Sequence, residues 1–231
     1  MSEAVTMTRR SSQKIPALII HAILFYTFWA CWALLIRPAL LEVMQDTLLF
    51  AIFGSCVKLL VWVFPALLLA KHFSSELCVG FRQMFTQKVP LKSVIFWSLV
   101  FFLIGGGDRL LALFRGNLHI NPDFTLKSHL WLLVVGITEE AVFRGWMLNA
   151  TAKNEKDWKM LLLNGIMFLC IHFPGWIEKG TFVSAFTGFG FLSVILFGVL
   201  AGICFLKHKN LLLIVFIHMF YDFILEFWIV G

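Results

Sequence analysis

Seven long apolar runs, separated by short charged segments, dominate the 231-residue chain and limit what it can fold into. Each run is close to the roughly 17–25 residues that an α-helix needs to cross a bilayer. A transmembrane β-strand would be about ten residues long with alternating polar and apolar side chains, and the sequence has no such alternation. The sequence therefore predicts an all-α, polytopic transmembrane helical bundle of about seven spans. The predicted spans are Ile15–Ile36, Thr47–Ala70, Ser93–Phe114, Ser128–Ala150, Trp158–Phe173, Phe182–Leu206 and Leu211–Val230.

The composition also indicates a membrane protein rather than a soluble domain. Hydrophobic residues make up 60% of the chain and charged residues 14%, with a mean hydropathy of +0.89. A soluble domain has about 25% charged residues. The five cysteines form no CxxC pair, so neither a disulfide framework nor a thiolate zinc site is indicated.

The net charge of +6 is explained by membrane topology. With the N-terminus in the cytoplasm, the sixteen Lys and Arg residues outside the span interiors divide twelve to four in favour of cytoplasmic segments. The positive-inside rule predicts this asymmetry for seven spans. We therefore expect a cytoplasmic N-terminus and no nucleic-acid partner.

The fourth run contains three charged residues within "ITEEAVFR": Glu139, Glu140 and Arg144. Each such charge costs roughly 2.5–3.5 kcal/mol at the middle of a spanning helix. Glu140 and Arg144 are four residues apart and share a helix face, so they can form an ion pair. Glu139 lies roughly 140° around the helix from Arg144, at about 100° per residue. The cluster therefore divides into a compensated pair and an uncompensated Glu139, which is suited to act as a general base for water.

Polar side chains also recur at helical spacing in the fifth and seventh runs. Asn164, Phe168 and His172 follow one another at intervals of four, as do His218 and Asp222. An imidazole beside a carboxylate one turn away is an orienting arrangement in catalysis and metal binding. A lone intramembrane histidine is more often an interhelical hydrogen-bonding residue. Polar clusters on three spans, each needing compensation, favour a functional site instead.

The height of His172 restricts how these clusters can meet. At about 1.5 Å rise per residue, His172 near the outer end of the fifth run lies above Glu139 and His218. A common site requires the fifth span to tilt, to extend past Pro174 or to lie deeper in the membrane.

At this point the sequence resembles the CAAX protease and bacteriocin-processing family of intramembrane endopeptidases, in its bacterial type. "EEAVFR" resembles the EExxxR motif of that family, "FLCIH" its FxxxH motif, and "HMFYD" its final HxxxN or HxxxD motif. The stretch "FGVLAGICFLKHKNLLLIVFIH" resembles the glycine-bearing helix, basic turn and histidine helix of bacterial members. The resemblance covers about residues 130–225.

The resemblance implies a protease that hydrolyses a peptide bond within the membrane. By analogy, Glu139 and His172 activate a water, and His218 with Asp222 stabilises or orients the oxyanion site. Glu140, Arg144 and Phe168 are supporting residues. Eukaryotic members carry Asn at the last position, and an ionised Asp222 cannot donate a hydrogen bond, so orientation of His218 is the alternative role for it.

Cofactor, substrate and location follow from the same resemblance. The metal-free version is favoured, and the alternative is zinc held by His172, His218, Glu139 and Asp222. The partners implied are the lipid bilayer and a membrane-embedded or membrane-associated peptide or protein substrate. The expected location is the bacterial inner (cytoplasmic) membrane, as a multi-pass protein.

The site residues concentrate after position 130, which predicts two parts of the chain. Residues 1–125 form spans for scaffold or substrate access, and residues 126–231 form a catalytic core of four membrane helices. Two other functions fit the same residues. One is a non-catalytic membrane binding, immunity or signalling partner of the same fold. The other is an ion or solute transporter, although the paired broken helices typical of transporters are missing from the sequence.

Overall fold

The architecture comes from a computed structural model, which describes residues 2–44, 47–125, 129, 131–188 and 190–231. The predicted start of the catalytic core at residue 126 and of the fourth span at Ser128 lie outside these residues. Helices and one small β-ribbon make up the regular structure of the described part.

The helices follow one another with short connections. They are α1 (Ser2–Cys31), α2 (Arg37–Val43), α3 (Thr47–Lys58), α4 (Phe64–His72), α5 (Gln83–Thr86), α6 (Leu91–Arg115), α7 (Leu132–Glu140), α8 (Asn149–Thr151), α9 (Trp158–Cys170), α10 (His172–Glu178), α11 (Phe182–Thr187), α12 (Gly190–His208) and α13 (Leu211–Phe227). The segments Trp32–Ile36, Leu59–Val63 and Ala141–Leu148 are π-helical, and Ser74–Glu76 is a 3₁₀ turn. Strand β1 (Leu118–Ile120) pairs antiparallel with β2 (Trp228–Val230).

Five helical stretches in the described residues are long and apolar enough to cross a membrane: Gln13–Val43, Leu48–His72, Leu91–Arg115, Trp158–Glu178 and Gly190–His208. Large apolar side chains such as Ile23 and Leu60 are more than half exposed on these helices, as expected for lipid-facing surfaces. The predicted all-α transmembrane bundle is confirmed, and the chain is a multi-pass integral membrane protein.

The predicted count of seven spans is not confirmed, for two physical reasons. The helical stretch from Leu132 to Thr151 carries three charged residues, and α13 has only 17 residues. The first stretch is therefore more polar, and the second is shorter, than the other five. Both carry predicted site residues.

Two of the π-helical segments directly precede a proline in the next helix. Pro38 and Pro65 each lie at the start of a new α-helix. A proline lacks an N–H and clashes with the carbonyl four residues earlier. The residues four positions earlier, Leu34 and Val61, belong to π-helical segments, whose wider turns relieve that clash. The third π-helical segment contains no proline and carries Arg144 instead.

Glycines let the helices that carry the polar residues approach closely. A Cβ on Gly198 of α12 would lie 2.8 Å from the Cα of Gly165 on α9, a distance that real Cβ atoms do not adopt. A Cβ on Gly136 of α7 would lie 3.0 Å from the carbonyl oxygen of Val215 on α13. Small residues at such crossings are the usual means of tight helix packing in membranes. They bring α7, α9, α12 and α13 together around one centre.

Two aromatic side chains fasten α1 to α9. The hydroxyl of Tyr26 donates to the carbonyl oxygen of Met167 at 2.6 Å, and Nε1 of Trp29 donates to that of Ile171, also at 2.6 Å. Ile171 lies at the break between α9 and α10. The first helix thus packs directly beside the segment that carries Phe168 and His172.

Arg109, a charged residue inside the third predicted span, stabilises the end of α13. Its guanidinium donates to the carbonyl oxygens of Leu225 at 2.8 Å and Trp228 at 2.9 Å. The last carbonyl groups of a helix have no partner within the helix. Arg109 supplies donors for two carbonyls at this end, which is a structural role.

Candidate functional site

The centre of the bundle holds a sealed ion pair on the helix that carries the EExxxR motif. Nη1 of Arg144 donates to Oε1 of Glu140 at 2.9 Å, and both side chains are completely buried. Nη2 of Arg144 donates to the carbonyl oxygen of Gly198 at 3.1 Å, and its guanidinium lies 4.4 Å from the ring centre of Phe168. A buried charge is tolerated only when it is paired and hydrogen-bonded. Arg144 contacts residues of three helices, although its Nε and Oε2 of Glu140 have no hydrogen-bond partner among the described residues.

His218 joins the same cluster from α13. Its Nδ1 lies 2.7 Å from Oε1 of Glu140, the oxygen that also accepts from Arg144. Its Nε2 lies 3.9 Å from Oε2 of Glu139 and 3.6 Å from Oδ2 of Asp222. Carboxylates accept hydrogen bonds, so each nitrogen of His218 faces acceptors. One ring therefore connects all three acidic side chains.

Glu139 faces the other way, into a cavity of about 620 Å³. His172 lines the same cavity from the start of α10. Its Nδ1 lies 3.1 Å from the carbonyl oxygen of Phe168. A carbonyl oxygen only accepts, so Nδ1 carries the proton, and Nε2 of a neutral His172 keeps a free lone pair. The carboxyl group of Glu139 and the imidazole of His172 thus belong to residues that line the same cavity.

The cavity walls are aromatic and carry charges at intervals. Its lining includes Trp29, Trp32, Trp131 and Trp176, the cations Arg37, Lys58 and Lys179, and the acids Glu178 and Glu226. Arg37 and Glu178 form an ion pair with each other. His218 and Asp222 are not among the described residues that line the cavity.

The structure resolves the height of His172 through a longer helical stretch. The fifth span does not end at Phe173, as predicted, but continues through Pro174 to Glu178. The break at Ile171 interrupts the α-helix just before His172. A proline is tolerated in the first turn of a helix, where its missing N–H has no partner to lose. His172 thereby lies inside the stretch that can span a membrane.

Sequence reasoning missed two contributions to this site. The contact between His218 and Glu140 joins residues 78 positions apart on different helices, so no local spacing indicates it. Lys58 belongs to residues 1–125, which the sequence predicts to serve as scaffold or substrate access. Its position inside an apolar run was the available signal.

No group of three or more His, Cys, Asp or Glu side chains in the described part of the chain is placed to hold a metal ion. Nδ1 of His218 lies beside Glu140, and Nδ1 of His172 beside a backbone carbonyl. The chemical steps proposed below use water and the side chains of the chain itself.

Comparison with known proteins gives one match. A family model described as Type II CAAX prenyl endopeptidase Rce1-like matches residues 121–224. Comparisons with curated proteins and with solved structures gave no significant match. The matched segment contains Glu139, Glu140, Arg144, Phe168, His172, His218 and Asp222. The predicted family resemblance is confirmed: residues 121–224 of this membrane protein are similar to the Rce1-like type II CAAX prenyl endopeptidases.

Proposed function

We propose that the chain is an intramembrane endopeptidase in which Glu139 and His172 activate a water molecule. The observation that carries this proposal is their common exposure to one cavity, while the neighbouring Glu140 is sealed against Arg144. The similarity of residues 121–224 to the Rce1-like family supports the general assignment of the chain as a membrane protease. The residue roles, the water-only chemistry and the substrate are our own assignments.

In the proposed reaction, a water in the cavity lies between Glu139 and His172. The carboxylate of Glu139 takes a proton as the water oxygen bonds to the scissile carbonyl carbon, whose π electrons move to the carbonyl oxygen. Nε2 of His172 accepts a hydrogen bond from the second O–H of the water, which stays on the oxygen, and so orients the water. When the tetrahedral intermediate collapses, the C–N bond breaks and Glu139 returns its proton to the leaving amine. A base positioned in this way accelerates a reaction by about 10²–10⁴-fold.

We propose that His218 orients the carboxylate of Glu139 and does not itself line the cavity. Its Nε2 is directed at Glu139 and Asp222, and its Nδ1 is held by Glu140. A ring restrained from both sides keeps a nearby carboxylate in one orientation, as outer partners do in other catalytic sites. Asp222 accepts hydrogen bonds when ionised, which suits it to orient His218.

Arg144 and Phe168 have supporting roles in this proposal. Arg144 neutralises Glu140 and fastens the motif helix to Gly198 of α12. Phe168 packs against the guanidinium and places its own backbone carbonyl on His172. Together they fix the position of His172 relative to the motif helix.

The substrate we propose is a membrane-embedded or membrane-associated peptide or protein precursor. The cavity is surrounded by apolar spans and aromatic walls, which favour a substrate that is itself partly buried in lipid. The glycine-bearing helix, basic turn and histidine helix of residues 197–218 resemble those of bacterial members of the family, so we assign the chain to a bacterial cytoplasmic membrane.

The test is cleavage by the purified full-length chain in lipid nanodiscs. A library of synthetic membrane-inserting peptides is incubated with it, and products are identified by mass spectrometry. We expect cleavage by the wild type and loss of cleavage with Glu139→Gln. Glu226→Gln, which changes another carboxylate lining the same cavity, is the matched control and should keep activity.

Two results would contradict the proposal. If Glu139→Gln cleaves as fast as the wild type, Glu139 is not the base. If neither the wild type nor Glu139→Gln cleaves any peptide, and Glu139→Ala fully rescues the phenotype of a deletion strain, the chain is a binding partner instead.

A zinc chelator should have no effect on the cleavage rate. Loss of activity with the chelator that added zinc restores would overturn the water-only chemistry.

A further inference from the structure

Lys58 is a cation held inside the membrane part of the protein without a carboxylate partner. It ends α3, directly before the π-helical segment Leu59–Val63. Its Nζ lies 5.0 Å from the ring centre of Trp29 and 5.3 Å from that of Trp62. It forms no hydrogen bond or ion pair with any residue that the structure describes. Aromatic faces attract a cation at this range, but they leave its N–H groups available.

Lys58 lines the same cavity as the proposed reaction centre. Lys58, Glu139 and His172 all contribute to its lining. Trp29 connects them physically, because its ring faces Lys58 while its Nε1 donates to the carbonyl oxygen of Ile171, the residue before His172. Trp29 therefore contacts both the Lys58 ammonium and the backbone at the helix break directly before His172.

Several of the other polar groups around the cavity are already engaged or can only accept. The N–H of His172 is used by the carbonyl of Phe168, and both nitrogens of His218 face carboxylates. Arg37 is paired with Glu178. An ionised Glu139 accepts only. Of the cations that line the cavity, Lys58 is less exposed than Lys179 and, unlike Arg37, forms no ion pair with a described residue.

We propose that Lys58 is a further catalytic residue of this site, whose ammonium binds the carbonyl oxygen of the scissile bond and stabilises the negative charge formed there. The assignment rests on the proposed endopeptidase function. Lys58 donates a hydrogen bond and transfers no proton. As water adds to the carbonyl carbon, the π electron pair moves to the carbonyl oxygen, and the ammonium stabilises the negative charge on that oxygen. The electron pair returns to the carbon–oxygen bond when the C–N bond breaks. Donors aimed at such a developing charge in a water-poor site supply large transition-state stabilisation.

The test uses the peptide that the wild-type chain cleaves in nanodiscs. Lys58→Met removes the charge and keeps an unbranched apolar stem. We expect kcat to fall by about 10²–10³-fold, as for loss of one oxyanion donor, with KM changed less than about threefold. Lys58→Arg keeps a cationic donor and should recover a large part of kcat. Lys179→Met, at the exposed rim of the same cavity, is the matched control and should keep the wild-type kcat.

A second measurement does not depend on turnover. A phosphinate analogue of the cleaved peptide carries an anionic oxygen at the position of the developing charge. Its affinity for Lys58→Met should fall by the same factor as kcat/KM. A purely structural role would instead lower the thermal stability of Lys58→Met and leave the affinity of correctly folded protein unchanged.

The outcomes separate this assignment from the proposed function. If Glu139→Gln is inactive while Lys58→Met cleaves at the wild-type rate, or binds the phosphinate as tightly, the role of Lys58 is overturned alone. If the wild type cleaves no peptide, the proposed function and this assignment fall together.

Discussion

Glu139 and Glu140 are adjacent in the chain, yet they belong to two different environments. Glu140 lies in a sealed cluster in which its Oε1 accepts from Arg144 and approaches His218. Glu139 lies at the edge of an open cavity with His172 and Lys58. One set of charges is paired within the protein, and the other is left available to a substrate. A membrane protein can thus keep reactive groups in its interior by pairing the neighbouring charges with one another.

The largest effect should come from breaking the sealed cluster. Arg144→Met leaves Glu140 buried without its counter-ion, and removing one partner of a buried pair costs about 3–5 kcal/mol. We expect a corresponding loss in the free energy of unfolding, measured by denaturant titration in detergent. Glu139→Gln, in the open cavity, should change that free energy by less than about 1 kcal/mol. Equal stability losses for both variants would abolish the distinction between the two environments.

A change confined to the open cavity should remove activity and spare the fold. His172→Asn keeps a donor near the carbonyl of Phe168 but lacks Nε2. We expect the cleavage rate to fall by about 10²–10⁴-fold and the melting temperature to stay within a few degrees of the wild type. His119→Asn changes an exposed histidine of β1 and serves as the control. A stable His172→Asn protein with wild-type activity would exclude His172 from catalysis.

The smallest effect should come from the wall of the cavity. Trp29→Phe keeps an aromatic face near Lys58 but removes the hydrogen bond to the carbonyl of Ile171. The loss of one such bond destabilises by about 0.5–1.5 kcal/mol. We expect a modest fall in melting temperature and a less than tenfold fall in cleavage rate. A fall as large as that of His172→Asn would make Trp29 part of the reaction centre.

Local spacing was enough to predict the features that depend on one helix. The apolar runs predicted the helices, and the four-residue interval predicted the pairing of Glu140 with Arg144, which lie 2.9 Å apart. The same angular argument separated Glu139 from that pair. These inferences needed only helix geometry and the high energy of an unpaired charge in lipid.

Features that depend on contacts between helices could not be predicted from the spacing of residues along one helix. The approach of His218 to Glu140 and of Lys58 to the cavity each require the packing of distant segments. Glycines such as Gly136 and Gly198 make that packing close, but a sequence does not reveal which helix each glycine faces. The break at Ile171 and the extension to Glu178 lie where Trp29 of another helix donates to the carbonyl oxygen of Ile171, a contact that local propensity does not indicate.

The π-helical segment Ala141–Leu148 makes the two environments sensitive to the type of helix that carries the motif. Its turns hold more residues than those of an α-helix, so successive side chains are separated by less than the roughly 100° of an α-helix. If the same residues formed an α-helix, the direction of the two glutamates relative to the rest of the motif helix would change. Glu139 and Glu140 would turn away from the positions they now occupy. Register, as much as residue identity, decides which of two identical side chains is sealed and which one meets the substrate.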